Sequence, residues 1–216
     1  GGGIIGLSLA IELKLRGATV TLLSRDFQQA ATHAAGGMLA PQAERIPPGA
    51  MLDLCLRSRS MYPEWIRKIE GLSGLSAGYW PCGILAPVYD ADTDKVFNSD
   101  EHPAHWLNRD AIRQYQPGLG EDVVGGWWLP QDGEVDSRAL GRTLWMAAQE
   151  LGIDARDGVT VKAIQQQGGR VTGVRTDNGT FNAQQYALAA GAWSNQLLPI
   201  PVRPHKGQML SVRAVD

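Results

Sequence analysis

The chain has 216 residues, enough for one full domain or parts of two. Its 20 basic and 22 acidic residues leave a formal net charge of −2, so no sequence-wide field favours nucleic acid or an anionic membrane surface. Charged residues interrupt every apolar run well before the roughly 18 residues that a membrane span needs, and 26 glycines, well above the usual ~7%, announce many close backbone approaches.

The opening Gly1-Gly2-Gly3-Ile4-Ile5-Gly6 fits G-x-G-x-x-G and runs into Leu7–Gly17, which reads as a helix closed by its glycine. Ala18–Ser24 then reads as a buried strand. Together they form the second half of a βαβ unit, in which the first Gly makes the tight turn, the second admits a pyrophosphate and the third lets helix and strand pack closely. Phosphates would sit on the helix N-terminus, where free N–H groups and the positive end of the dipole point. The strand that should precede Gly1 is missing from the sequence, so a larger parent protein is expected. The fingerprint calls for an acidic residue about 20 positions after the glycines to hold a ribose hydroxyl. That place holds Ser24 and Arg25, so Ser24 would bond a ribose weakly, while Arg25 leaves a 2′-phosphate, and hence an NADP enzyme, open.

Next comes a run of small side chains, Ala30 to Glu44, containing Thr32, His33, Gly36, Gly37 and Met38. Such backbone can lie flush against a flat ligand or simply pack closely against a helix or sheet. Residues 51–70 show helical spacing with a break or kink expected at Pro63. Tyr79–Val88 and Val123–Leu129 read as strands of a second, sheet-based subdomain. Asp136-Ser137 is an N-cap for a helix over Arg138–Leu151 that ends at Gly152. Strands are then expected at Thr160–Ile164, Arg170–Thr176, Phe181–Ala189 and from Gly207 to Arg213. The fold class is thus α/β: a discontinuous Rossmann-like domain over 1–78 and 137–202, and part of a second domain over 79–136 and 203–216, the chain being truncated at both ends.

The segments GGGIIGLSLAIELKLRGATVTLLSR, THAAGGMLAPQAE, GWWLPQDGEVDSRAL, YALAAGAWS and KGQMLSV occur in family order over nearly the whole chain. They resemble the D-amino-acid oxidase family of flavoproteins, and within it the glycine oxidases that serve thiamine biosynthesis. LKLRGA and SRDF are similar to cyanobacterial members in particular, and the chain resembles their N-terminal part. The resemblance implies FAD as cofactor. It sets Gly1, Gly3, Ile4, Ile5 and Gly6 at the pyrophosphate, and Ser24 and Arg25 at the adenosine ribose in place of the usual acid. Ala31, Thr32, Gly36, Gly37 and Met38 would run along the pyrophosphate and flavin. Val161 would meet adenine through its backbone, and Ala190, Gly191 and Trp193 would form the turn that returns to the cofactor.

The implied reaction is oxidative deamination of glycine: hydride passes from the substrate Cα to the flavin, an imine forms, and oxygen reoxidises the flavin to give hydrogen peroxide. The family's substrate-binding Arg and Tyr lie beyond Asp216, so no catalytic side chain is assigned and residues 1–216 alone are expected to be inactive. Another amine or D-amino-acid oxidase or dehydrogenase, an NADP-dependent dehydrogenase using Arg25, and a non-catalytic scaffold stay open. Glycine and oxygen are the expected small partners, with a second copy or a thiazole synthase as macromolecular ones, and neither nucleic acid nor membrane.

Three constellations stand apart from the motif. Asp100-Glu101-His102-Pro103-Ala104-His105 gathers metal-ligand types but reads better as a solvated turn, and no metal is expected. His33, beside the small-residue run, reads as a polar loop residue or as a neighbour of the cofactor. Trp127 and Trp128 cannot share one face of a strand, so one is expected in the core and one at an edge or partner surface, with a substrate cage as the less favoured alternative. Cys55 and Cys82 lack any disulfide or zinc spacing, which suits a reducing cytoplasm.

Overall fold

The computed structural model describes residues 1–89 and 103–210. In chain order the elements are α1 (Ile4–Leu15), β1 (Thr21–Leu23), β2 (Met38–Leu39), α2 (Ala50–Ser73), β3 (Tyr79–Trp80), β4 (Ile84–Val88), β5 (His105–Asn108), α3 (Arg109–Tyr115), β6 (Gly125–Leu129), β7 (Gly133–Val135), α4 (Ser137–Glu150), β8 (Asp154–Arg156), β9 (Val161–Gln167), β10 (Arg170–Thr176) and β11 (Gly179–Phe181). They fall into two compact units. One holds Gly1–Gly36, Arg67–Gly78 and the described residues from Asp136 onward, and the other holds Gly37–Ile66 and Tyr79–Val135. This division differs from the one drawn on sequence at 37–66, which joins the second unit, and at 136 and 203–210, which stay with the first.

In the first unit β1 pairs in parallel with β8, Thr21 opposite Asp154. Parallel neighbours need a crossover, and the helices supply the cover: α1 packs against α4. Leu7 and Ile11 of α1, and Leu140 and Leu144 of α4, are all at most 1% exposed. Both helices stop in the same way. Gly17 and Gly152 have positive φ, and the residue after each donates its N–H back five positions, Ala18 to Leu13 at 3.0 Å and Ile153 to Ala148 at 3.0 Å. A left-handed residue with this bonding pattern favours glycine because it lacks a Cβ. The expected cap of α4 is present, the Asp136 carboxylate accepting the N–H groups of Arg138 and Ala139 at 2.9 Å each. An antiparallel sheet in the order β11-β10-β9 completes this unit.

The run Phe181–Ala189, expected as a strand, is one only to Phe181, and 182–190 are irregular. β-propensity yields a strand only where backbone groups meet a ladder, and none of the described strands pairs with this stretch. The strand expected from Gly207 is likewise not formed over 207–210, and the remainder of that expectation lies outside the described residues.

The second unit is built on two small antiparallel sheets, β2-β7-β3 and β4-β6-β5. Trp127 is buried with Val88, Ala104 and Leu129, its ring 5.3 Å from that of Trp106. Trp128 points to the other face, packing on Gly83, where a Cβ would strike its ring, and 5.5 Å from Tyr115. The pleat thus sends one tryptophan into the core, while the other lies half-buried on the opposite face of β6, the central strand of its sheet and not an edge. The helix does not break at Pro63: α2 runs unbroken over 24 residues, from the second unit into the first. Proline removes one backbone donor, and Ile66 and Ile69, 3% and 0% exposed, give the helix a buried face that outweighs the loss.

A buried ion pair fastens this unit. Asp132 is fully buried and pairs with Arg59 of α2, whose guanidinium also donates to Gln42 at 3.0 Å and Gln131 at 2.9 Å. The second carboxylate oxygen accepts the Ala43 N–H at 3.0 Å. Removing Asp132 leaves the largely buried Arg59 guanidinium without its counter-charge, so Asp132→Ala should lower stability by about 3 kcal/mol in urea unfolding. Asp136→Ala, which removes two cap bonds at the start of α4, should cost about 1 kcal/mol by the same measurement.

Candidate dinucleotide site

The site in the first unit is formed where α1 begins. Gly3 is the N-cap residue in an extended conformation and, having no side chain, offers no cap bond. Thr32 takes over that role from the 3-10 turn Ala31–Ala34, its hydroxyl accepting the Ile4 N–H at 2.9 Å. Leu7 donates to the Gly3 carbonyl at 3.0 Å. Among the described residues the N–H groups of Ile5 and Gly6 have no acceptor. No acidic side chain lies in the first turn of α1, so the positive end of the helix dipole stands uncompensated.

Glycine is needed here for space. A Cβ on Gly6 would collide with the Gly1 carbonyl and come within 3.5 Å of the Ala189 side chain, while one on Gly1 would collide with the Ala189 carbonyl. A Cβ on Gly2 would fall 2.7 Å from the Ser24 hydroxyl. Gly3 is roomier, its Cβ position 3.4 Å from the Thr32 hydroxyl. The first turn, the end of β1 and the segment 189–190 therefore meet at backbone distance, and a larger residue at Gly1, Gly2 or Gly6 would pry them apart.

Ser24 is 3% exposed, held in place by its N–H to the Arg156 carbonyl and by its own carbonyl accepting the Val159 N–H, both at 2.9 Å. That second bond brings the segment leading to Val161, the first residue of β9, to the end of β1. Arg25 is exposed, its guanidinium stacked over the Trp193 ring at 5.1 Å. Trp193 lies in the turn Gly191–Gln196, which Ala190 caps, with Gly191 at φ +54°. The Arg25 side chain is thus occupied by an aromatic face.

The structure therefore gathers Gly1, Gly3, Ile4, Ile5, Gly6, Thr32 and Ala190 around one helix start, with Ser24, Arg25, Val161 and Trp193 along the strand end and its neighbouring turn. Ala31 is exposed in the same 3-10 turn as Thr32, and Gly36 is exposed, 3.1 Å from the Met209 methyl if given a Cβ. Gly37 and Met38 belong to the second unit, where Met38 begins β2 opposite Glu134 of β7. Ala189 went unnoticed on sequence, where YALAAGAWS showed a small-residue turn but not which residue meets the glycines. Of the acidic and histidine cluster, residues 100–102 lie outside the described residues. His105 is an exposed residue of β5 paired with Trp128, and among the described residues no group of three or more His, Cys, Asp or Glu is placed to hold a metal. No helix among them is long and apolar enough to cross a membrane.

Known proteins agree with this arrangement. The model of the family described as FAD dependent oxidoreductase (DAO) matches residues 1–216. The bifunctional protein ThiO/ThiG of a Nostoc species is 59% identical over the whole chain, which spans 34% of that protein. The glycine oxidase of Bacillus licheniformis is 30% identical over 98% of the chain and 59% of its own length. The crystal structure of the glycine oxidase from Bacillus cereus superposes with a TM-score of 0.84 at 26% identity, covering 92% of this chain and 56% of that one. The chain thus spans about a third of the bifunctional relative and under two thirds of the glycine oxidases. Matched by that family model from end to end, the chain belongs to the DAO family of FAD-dependent oxidoreductases.

Proposed function

We propose that the complete protein carrying this chain is an FAD-dependent glycine oxidase of thiamine thiazole biosynthesis. The observation that carries the reading is the cradle at the start of α1. There Gly1, Gly6 and Ala189 meet at backbone distance, and two helix N–H groups are left without acceptors. This suits a pyrophosphate, which needs backbone donors, a positive dipole end and no side chain in the way. Ile4, Ile5 and Gly6 would face the phosphates, with Ala31 and Thr32 closing the cradle. Ser24 and Val161 would border the adenosine through backbone, under the Arg25–Trp193 stack. Gly36, Gly37 and Met38 would follow the flavin. FAD bound there would supply the acceptor for a hydride, that is the hydrogen and both electrons of the substrate Cα–H bond.

Two readings weighed on sequence recede. Arg25 stacks on Trp193, which argues against a 2′-phosphate contact, and the family is flavin-dependent. The choice of glycine over another amine rests on the glycine oxidase relatives. The bifunctional ThiO/ThiG relatives support a link to thiazole synthesis, with the synthase in the same polypeptide or as a partner. Oxygen as final acceptor and a cytoplasmic location complete the proposal.

The test is the visible spectrum of the purified full-length protein before and after anaerobic glycine. Flavin bands that bleach on addition are expected. Bands that persist with glycine but bleach with another amine would move the substrate, and absence of flavin would overturn the reading. Gly6→Val should weaken FAD binding by roughly tenfold to a hundredfold, the range that overpacking a close contact costs. Thr32→Val, which removes only the bond to Ile4, should weaken it about fivefold. Both are read by titrating apoprotein with FAD.

A further inference from the structure

His33 follows Thr32 in the 3-10 turn and seats itself on α4. A Cβ at the buried Gly141 would fall 2.7 Å from Cε1, 3.2 Å from Nδ1 and 3.3 Å from Nε2 of the imidazole, so the ring lies across the helix at its one side-chain-free position. Phe27 meets it edge-on, centroids 4.6 Å apart at 89°. The backbone of the turn is tied to the same helix, the His33 carbonyl accepting Arg138 Nε at 3.1 Å and the Ala35 carbonyl accepting the Ser137 hydroxyl at 2.7 Å. One short turn thus joins two elements: Thr32 grips the start of α1 and His33 grips α4.

The seat suits a neutral ring only. Nε2 is buried without a hydrogen-bond partner, and a proton there would place a charged donor where nothing accepts it. The charged groups that act on the ring from α4 are Arg142 and Arg138, both cations. From the segment after β1 it meets the Phe27 carbonyl; there Asp26 accepts from Gln29, and Arg25 is stacked on Trp193. Burial first, then Arg142 and Arg138, hold the imidazole below its ordinary value of 6.5, against a smaller pull upward from that carbonyl.

We propose that His33 is a positioning residue for the cofactor: its neutral ring, seated on Gly141, holds the 31–36 turn and Thr32 against the phosphate end of α1, and protonation unseats it. The inference rests on the FAD reading above. The sign follows from linkage. The seated state excludes a proton that the unseated state binds, so the grip is complete above the ordinary histidine value and weakens as pH falls below it.

The experiment measures FAD affinity of the full-length apoprotein between pH 5 and 8 by flavin fluorescence, with thermal unfolding at each pH as the control for folding. In the wild-type protein the dissociation constant should rise as pH falls below 6.5, by up to about tenfold per pH unit for one coupled proton. His33→Phe and His33→Gln should flatten that dependence. Arg142→Gln, which removes a repelling cation from beside the seated ring, should let the seated state tolerate a proton better and so make the loss of affinity at low pH smaller, a change that a merely structural histidine would not give. Gly141→Ala should weaken binding already at pH 8, because its methyl group takes the seat of the ring. A full pH dependence retained in both folded His33 variants would overturn the clamp alone. A wild-type protein that binds no FAD at pH 8 would overturn the cofactor reading and the clamp with it.

Discussion

The first unit depends on one constraint, the approach of backbone to backbone at the start of α1. Gly6 sits so near the Gly1 carbonyl, and Gly1 so near that of Ala189, that no side chain fits between them. Everything near the site is arranged around that closeness. Gly2 rests on Ser24 at the end of β1, and Gly3 leaves the helix without a side-chain cap. The cap therefore comes from elsewhere in the chain, through Thr32. Because the glycines give up side chains, they also give up the interactions that would hold the turn in place. Neighbouring segments must supply them: the Arg25–Trp193 stack, the bond between Ser24 and Val159, and the contacts of the 3-10 turn with α4.

How much of this can be read from the sequence depends on how local the physics is. The two long capped helices are plain, because Gly17, Asp136 and Gly152 act within a turn of themselves. The glycine motif is plain for the same reason. The second sheet could be located but not drawn: β7 is three residues and α3 seven, too short for a period to show. Residues 182–189 have the composition of a strand without a described partner, and only pairing could have told the difference. Taken as a helix break, Pro63 misleads in the other direction, since a rule about one residue yields to a buried helix face extending past it on the C-terminal side.

The site divides in the same manner. Gly1, Gly3 and Gly6 could be named because the motif carries its mechanism in its spacing. His33 showed as a polar loop residue or a neighbour of the cofactor but not as a tether to α4, because its seat is Gly141, far along the chain, and nothing in either neighbourhood announces the other. Ser24 looked like a ribose ligand by position, and the structure shows its side chain tucked against Gly2, with Arg25 as the exposed member of the pair. Side-chain partnerships across long separations are a matter of packing, which composition does not record.

A cradle made of backbone has a lopsided relation to genetic change. Amide groups are the same in all residues but proline, so substitution cannot give the helix start a better set of donors; it can only introduce bulk that closes the gap. Variation at Gly1, Gly2 and Gly6 is then almost all loss, while residues that recognise a substrate through their side chains remain free to trade one chemistry for another. A lineage built on such a cradle would keep its cofactor and change its substrates.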